Sequence, residues 1–220
     1  MNKILAVYII GKVDPARKTI WHRNKNTIKN LVQSIKNNEQ LVILNNCFKD
    51  KIVENIHYKR IEAYDIDVYF QKWFLCYDYL KEHEDIDKVW IVDVSDVEML
   101  KNPFPEMENN LLYVGSEETN LNNEWMQLNH KSKILLDFQK ENKDLKLLNA
   151  GIIGGSRNDV LDVCKAQIDF YNNNREEHDM GSYNYILYSN YKNKIKYGPT
   201  VHTIFKGYEE DNKIAWWKHK

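Results

Sequence analysis

The sequence lacks the cysteine pattern of a metal ribbon or a disulfide framework. Its three cysteines, Cys47, Cys76 and Cys164, are far apart and form no C-x-x-C pair. Neither a zinc ribbon nor a dithiol redox centre is therefore indicated. Such cysteine usage is typical of a reducing compartment, and we expect all three side chains to lie in the core.

Long apolar runs are missing as well. No segment approaches about 18 uninterrupted apolar residues, and the short apolar stretch near the N-terminus is followed by no small-residue cleavage site. We therefore predict no transmembrane segment and a soluble, cytoplasmic protein.

The chain also lacks a charge bias. Its 31 basic and 32 acidic residues give a formal net charge of -1, so no overall positive field favours nucleic acid or an anionic membrane. We predict no nucleic-acid partner, and any anion site must be local. No internal repeat and no Pro-, Gly- or Ser-rich linker divides the 220 residues, so we expect one domain over residues 1–220.

What the sequence does contain is an alternation of strand and helix patterns. Continuous apolar runs are typical of strands in a mostly parallel sheet that is buried on both faces, and apolar residues at helical spacing indicate the flanking helices. Strands are predicted at 4–10, 41–48, 52–61, 89–93, 111–117 and 146–155, and helices at 27–38, 68–83, 133–142, 156–174 and 179–191. The predicted class is α/β, in which ligands collect beyond the carboxyl ends of the strands.

Two acids follow the strand at 89–93, in the stretch VWIVDVSDVEM. Asp93 and Asp96, with Ser95 between them, would lie at the ligand-binding edge of the sheet. A simple turn also explains them, because Asp and Ser satisfy free backbone amides there. The functional alternative is a divalent cation, Mn²⁺ or Mg²⁺, which prefers carboxylate oxygens and can bridge two phosphate oxygens of a substrate.

The order of several blocks along the chain resembles a known family. VWIVDVSDVEMLKNPF is followed by LLYVGSE, LLNAGIIGG, DMGSYNYIL and GPTVHTIFKGYE, over about residues 68 to 209. This order is similar to that of the nucleotide-diphospho-sugar glycosyltransferases of the GT-A fold, including small viral and bacterial members. The resemblance implies a Rossmann-like GT-A fold, a sugar-nucleotide donor, a bound metal ion and a hydroxyl acceptor such as a glycan.

In that family the acids after the strand form the D-x-D motif, which binds the metal and the sugar nucleotide. This chain has D-x-x-D instead, so Asp93, Ser95 and Asp96 compete for two roles. The resemblance favours Asp96 as a metal ligand and places Asp93 at the metal or the ribose. UDP is the expected nucleotide, because most metal-dependent relatives use it.

The resemblance extends to the late block TVHTIFKGY. In retaining members that resemble glycogenin, a late histidine joins the acids on the metal and a following lysine contacts the diphosphate, so the resemblance implies these roles for His202 and Lys206. It thereby favours a retaining reaction. A strand histidine that is hydrogen-bonded to the backbone is the alternative for His202, and the spacing to Lys206 is tighter than the H-x-x-G-x-x-K of that group.

Further positions match the sugar and acceptor sites of the family. Asn149 and Gly151 resemble the N-A-G segment that lines the sugar pocket, and a glycine bend that closes the core is the alternative. Asp179 matches the acid that contacts the donor sugar or accepts a proton from the acceptor, although helix capping would also explain it. Asn184, one turn further, is its companion.

Other matches concern the nucleotide. Tyr8 and Gly11 close the first strand, where this fold receives the uracil base, and the tyrosine could stack on the base or belong to the core. Lys72 stands where family members carry a basic residue that reaches the nucleotide or diphosphate, whereas a lysine that snorkels to solvent is the alternative. The tail KIAWWKHK could contact a membrane, a polymer acceptor or a partner, or pack onto the domain.

Other classes of protein share parts of this pattern. A sugar-nucleotide pyrophosphorylase would carry a G-x-G-x-R loop after the first strand, which GKVDPARKT lacks. A metal-dependent nuclease could use Asp93 and Asp96, but the chain has no basic stripe for a nucleic-acid track. A non-catalytic module that binds a sugar nucleotide or a glycan would keep the pocket without turnover, and it stays open as the alternative to a transferase.

Overall fold

A computed structural model describes residues 1–14, 18–36, 39–175, 177–206 and 214–219, and its elements follow the predicted alternation. The strands are β1 (Asn2–Tyr8), β2 (Leu41–Asn45), β3 (Lys51–Val53), β4 (Ile56–Arg60), β5 (Lys88–Val92), β6 (Val97–Met99), β7 (Leu112–Asn120), β8 (Lys146–Ser156), β9 (Ile195–Lys196) and β10 (Trp217–His219). The helices are α1 (Lys29–Ser34), α2 (Val68–Glu82), α3 (Glu124–Asn129), α4 (Lys133–Glu141), α5 (Arg157–Asn173) and α6 (Asp179–Asn190).

Within the described residues, eight strands form one mixed sheet in the order β3-β4-β2-β1-β5-β8-β7-β9. The strands β4, β2, β1 and β5 run parallel to one another, whereas β8 is antiparallel to both of its neighbours. The prediction of an α/β fold with a large, mostly parallel sheet flanked by helices is confirmed. Because Ala6 of β1 pairs with Val92 of β5, the two central strands end side by side and deliver Asp93 to that edge.

The helix starts have clear chemical causes. The Asp67 side chain accepts a hydrogen bond from the Tyr69 backbone N–H at 2.8 Å and begins α2. Ser156 caps α5 by accepting from the Asp159 N–H at 3.1 Å. Each bond satisfies one of the backbone donors that the first helical turn leaves without a partner.

Two predicted elements differ from those observed. The helix predicted at 27–38 is a 3₁₀ turn (Lys25–Ile28) followed by the short α1, because Ile35 already adopts an extended conformation; residues 37 and 38 lie outside the described ranges. The segment predicted as one strand at 52–61 is the antiparallel hairpin of β3 and β4. Glu54, at a φ of 55°, turns the chain there.

The C-terminal segment packs onto the domain. Its strand β10 pairs antiparallel with β6, the short strand that follows Asp96. The indole rings of Trp216 and Trp217 are buried, with centroids 6.0 Å and 5.3 Å from that of Trp90. This packing places His219 opposite Val97, next to the acids after β5.

Other expectations about burial are met only in part. Cys76 and Cys164 are buried and unpaired as expected, whereas Cys47 is only half-buried, beyond the end of β2. Within the described ranges, no helix combines the length and the apolar character needed to cross a bilayer.

The glycines of β8 make room for large side chains of the neighbouring strands. Gly154 lies directly opposite Trp90, and a β-carbon at residue 154 would overlap the indole ring. A β-carbon at Gly151 would meet the ring of His219 in the same way. These glycines therefore serve the packing of the sheet, in addition to any contact that Gly151 makes with a ligand.

Replacing Gly154 with Ala should lower the free energy of unfolding by about 1–3 kcal/mol, because the methyl group overpacks a rigid aromatic cluster. Urea denaturation followed by circular dichroism measures this loss. In a Trp90→Phe background the smaller ring leaves space, so the same substitution should have a smaller effect. Equal losses in both backgrounds would contradict the proposed overlap.

Candidate functional site

Two adjoining cavities open at the carboxyl ends of β1 and β5. The smaller has a volume of about 150 Å³ and the larger about 610 Å³. Both are lined by Tyr69, Lys72, Asp93, Ser95 and Asp96. The acids that the sequence singles out therefore lie where a parallel sheet binds its ligands.

The turn that carries the acids is held at both ends. Asp93 N–H donates to the Gly151 carbonyl at 2.7 Å, which continues the pairing of β5 with β8. Beyond Asp96, β6 is held by β10. Burial raises the pKa of Asp96 to about 7, and the neighbouring charge of Asp93 acts in the same direction.

Lys72 projects from the middle of α2 into the cavity floor. Its ammonium nitrogen lies 2.7 Å from the Ala150 carbonyl oxygen, 3.2 Å from Asp93 Oδ1 and 3.5 Å from Asp179 Oδ2. Burial opposes the positive charge, but the two carboxylates outweigh it and raise the pKa of Lys72. For Asp93, burial raises the pKa, whereas the positive charge of Lys72 acts to lower it. The lysine does not snorkel to solvent.

Asp179 is the first residue of α6, and its carboxylate turns away from the helix end. It accepts a hydrogen bond from Trp73 Nε1 at 3.1 Å and lies beside Lys72. His178 is the capping residue and makes no side-chain capping bond. The Asp179 side chain, which is buried and lines the larger cavity, therefore serves the cavity rather than the cap.

The amide of Asn149 also lines the larger cavity. Its Oδ1 accepts from the Gly151 N–H at 2.8 Å, and its Nδ2 donates to Glu117 Oε1 at 2.9 Å. Asn184 is placed differently. Fully buried, it hydrogen-bonds to both the N–H and the carbonyl of Leu148 at 2.8 Å, and it lines neither of the two cavities.

His202 and Lys206 do not act together in this structure. The Nε2 atom of His202 accepts from the Ser116 N–H at 2.9 Å, and its Nδ1 donates to the Thr203 carbonyl. This is the backbone-bonded arrangement that the sequence left open as the alternative, and His202 lines neither of the two cavities. A role as metal ligand stays a prediction that requires Nε2 to leave the Ser116 N–H, whereas the bond from Nδ1 to the Thr203 carbonyl could remain. Lys206 is exposed and lines the larger cavity.

Tyr8 and Gly11, the residues expected on the nucleotide side, lie at the end of β1 and just beyond it. The Tyr8 ring is buried and stacks on Phe48 at 5.6 Å, while its hydroxyl accepts from the Asn24 N–H at 2.8 Å. Gly11 adopts a φ of 79° and donates to the Trp21 carbonyl at 2.9 Å. Gly11 is not among the residues that line either cavity, but its hydrogen bond holds the backbone of Trp21, which lines the smaller one.

Several cavity residues were not anticipated from the sequence, and Trp21 and His219 are two of them. His219 is 1% exposed, and within the described part of the chain its Nδ1 has no hydrogen-bond partner. Burial, with His202 and Lys72 nearby, lowers its pKa to about 3. The alternation of Trp217, Lys218 and His219 was the available signal, since it places Trp217 and His219 on one face of a strand. Trp21 had no comparable signal, because it is an isolated aromatic residue in a polar loop.

Asp93 and Asp96 are the cavity carboxylates that would hold a divalent cation. Among the described residues, no three His, Cys, Asp or Glu side chains are grouped to hold a metal ion. Asp93 and Asp96 nevertheless line one cavity together. Mg²⁺ and similar ions are usually bound by one or two carboxylates together with substrate phosphates, so these two acids are the ones that would hold it.

No family model matches the chain, and no curated protein matches it. The fold and the cavity define, on their own, an α/β protein compatible with a Rossmann-like fold. Its acid-lined cavity lies at the carboxyl edge of the sheet.

Lys72→Met should destabilise the fold, because Asp93, Asp179 and the Ala150 carbonyl all lose a donor. We expect the free energy of unfolding, measured by urea denaturation, to fall by about 1–3 kcal/mol. This is less than for a fully buried ion pair, because the Asp93 side chain is partly open to water. Adding Asp179→Asn should recover part of this loss, since it removes one of the two uncompensated charges. Strictly additive losses in the double variant would contradict the charge pairing.

Proposed function

We propose that the chain is a metal-dependent glycosyltransferase of the GT-A fold. It would move a sugar from a nucleotide-diphosphate sugar, with a UDP-sugar as the expected donor, to a hydroxyl group of an acceptor such as a glycan. The observation that carries the proposal is the position of the Asp93–Asp96 turn. This turn lies at the end of β5 and lines both cavities. Trp21 lines the smaller of them, and Asp179 and Asn149 line the larger.

The lining of the two cavities suggests how the donor would lie. The nucleoside would occupy the smaller cavity against Trp21 and Ile9, and the diphosphate would meet Asp93 and Asp96 through the shared cation. The sugar would then extend into the larger cavity. Its hydroxyl groups need both donors and acceptors of hydrogen bonds, and the cavity wall offers a carboxylate, an amide and backbone groups.

The side chains of this protein would do most of their work by orientation and charge. A bound Mn²⁺ or Mg²⁺ would offset the negative charge of the diphosphate as it leaves. Lys206, on the exposed wall, would add a second positive charge there. Asp179, held by Trp73 and Lys72, would contact the donor sugar or accept the proton of the acceptor hydroxyl. The retaining course that the resemblance implies is part of the proposal.

A non-catalytic sugar-nucleotide or glycan-binding module is the second candidate. It is favoured by the contacts of Lys72, whose ammonium already compensates Asp93 and Asp179, and by the backbone bonds of His202. Such a module would bind the nucleotide sugar without breaking it. Release of free UDP from the donor in the presence of Mn²⁺ separates the two, because a transferase usually hydrolyses its donor slowly in water.

Asp96→Asn should weaken the Mn²⁺-dependent binding of UDP by about tenfold or more, because a neutral amide is a poor ligand for a hard cation. Calorimetric titration of UDP and of GDP, with Mn²⁺ and then with EDTA, measures this loss and identifies the nucleotide.

The matched control is Asp137→Asn, an exposed acid on α4, which should bind as the unsubstituted chain does. The proposal fails if neither nucleotide binds with Mn²⁺, or if the Asp96 variant binds with unchanged affinity.

A further inference from the structure

The larger cavity has an aromatic wall. This wall is formed by Tyr69, Trp125 and His178, with Asp179 next to it. The ring centroids of Trp125 and His178 lie 5.9 Å apart, and those of His178 and Tyr69 lie 5.7 Å apart. The rings therefore form a continuous surface that runs from the cavity mouth towards the acids.

Trp125 is the outermost member of this surface, and 42% of it is exposed. By contrast, Trp73, Trp90, Trp216 and Trp217 are buried in the core, and Trp21 is half-buried. An indole that stays open to solvent at the mouth of a cavity is a platform for a ligand with a flat apolar face.

The platform is held in place by a buried carboxylate. Glu177 accepts hydrogen bonds from the backbone N–H groups of Lys131, at 2.8 Å, and Ser132, and it pairs with His130 Nδ1 at 3.1 Å. His130 in turn makes an edge contact with Trp125, at a centroid distance of 6.0 Å. Because Glu177 directly precedes the start of α6, this cluster ties the α3–α4 connection, and with it Trp125, to the segment that carries Asp179.

We propose that the wall of Trp125 and His178 binds a neutral pyranose sugar. A pyranose has an apolar face of C–H groups and a rim of hydroxyl groups. The face would stack on the Trp125 indole, and the hydroxyl groups would reach the Asp179 carboxylate and the Asn149 amide, which line the same cavity.

The identification of this sugar as the acceptor rests on the proposed function. A donor whose diphosphate meets Asp93 and Asp96 leaves the outer part of the larger cavity to a second substrate. Asp179 lines this cavity beside Lys72, so that an acceptor hydroxyl bound there would face its carboxylate.

Saturation-transfer NMR with the methyl β-glycosides of glucose, galactose and N-acetylglucosamine tests the platform directly. At least one of them should bind the unsubstituted chain, and Trp125→Ala should weaken that binding about tenfold, through loss of the stacking surface. Trp125→Leu keeps an apolar side chain without the ring, and it should weaken glycoside binding as well. Leu128→Ala is the matched control, because this residue is on the same helix, is 73% exposed and is not among the cavity-lining residues.

The proposal is overturned if none of the three glycosides binds, or if Trp125→Ala binds as Leu128→Ala does. Titration of UDP with Mn²⁺ in the same variants separates this result from the fate of the proposed function. Nucleotide binding without glycoside binding removes the platform and keeps the nucleotide site. Trp125-dependent glycoside binding without nucleotide binding keeps the sugar site and removes the transferase.

Discussion

The arrangement of the cavity depends on one ammonium group. Lys72 brings together the end of β5, the middle of β8 and the start of α6 by contacting Asp93, the Ala150 carbonyl and Asp179. Two carboxylates so close to each other in a poorly solvated place would repel, and the lysine makes their proximity stable. Since each partner belongs to a different element, the contact fixes the positions of three elements as well as two charges.

The groups around Lys72 divide the cavity into three regions. One region is bounded by Trp21, the next contains the turn of Asp93 and Asp96, and the outer one is bounded by Trp125. Aromatic side chains stand at both ends, and charged side chains stand between them. A ligand with a flat base, a negatively charged centre and a hydroxylated end matches this order, and sugar nucleotides have that composition.

Sequence reasoning predicted the sheet better than the contacts of the site. Buried strands have continuous apolar runs, so β1, β2, β5 and β8 and the position of Asp93 at a strand end could be deduced from local pattern. The inward direction of Lys72 could not be deduced in this way, because its partners Asp93 and Ala150 lie 21 and 78 residues away in the chain.

The same limitation explains why the environments of two histidines could not be predicted. His202 and His219 lie in short segments, and their environments depend on the pairing of β10 with β6 and on the bridge between His202 and Trp217. Local sequence carries no information about that pairing. The resemblance pointed to His202, whereas the structure places His219 in the wall of the cavity.

The pairing of β10 with β6 also determines when the cavity can form. Residues 217–219 cover the strand at 97–99, so about 120 residues must be synthesised between the two halves of this contact. Closing so long a loop is slow compared with forming neighbouring helices. During translation the strand at 97–99 and the acids before it are therefore made long before His219, and His219 can join the cavity wall only after β10 has left the ribosome.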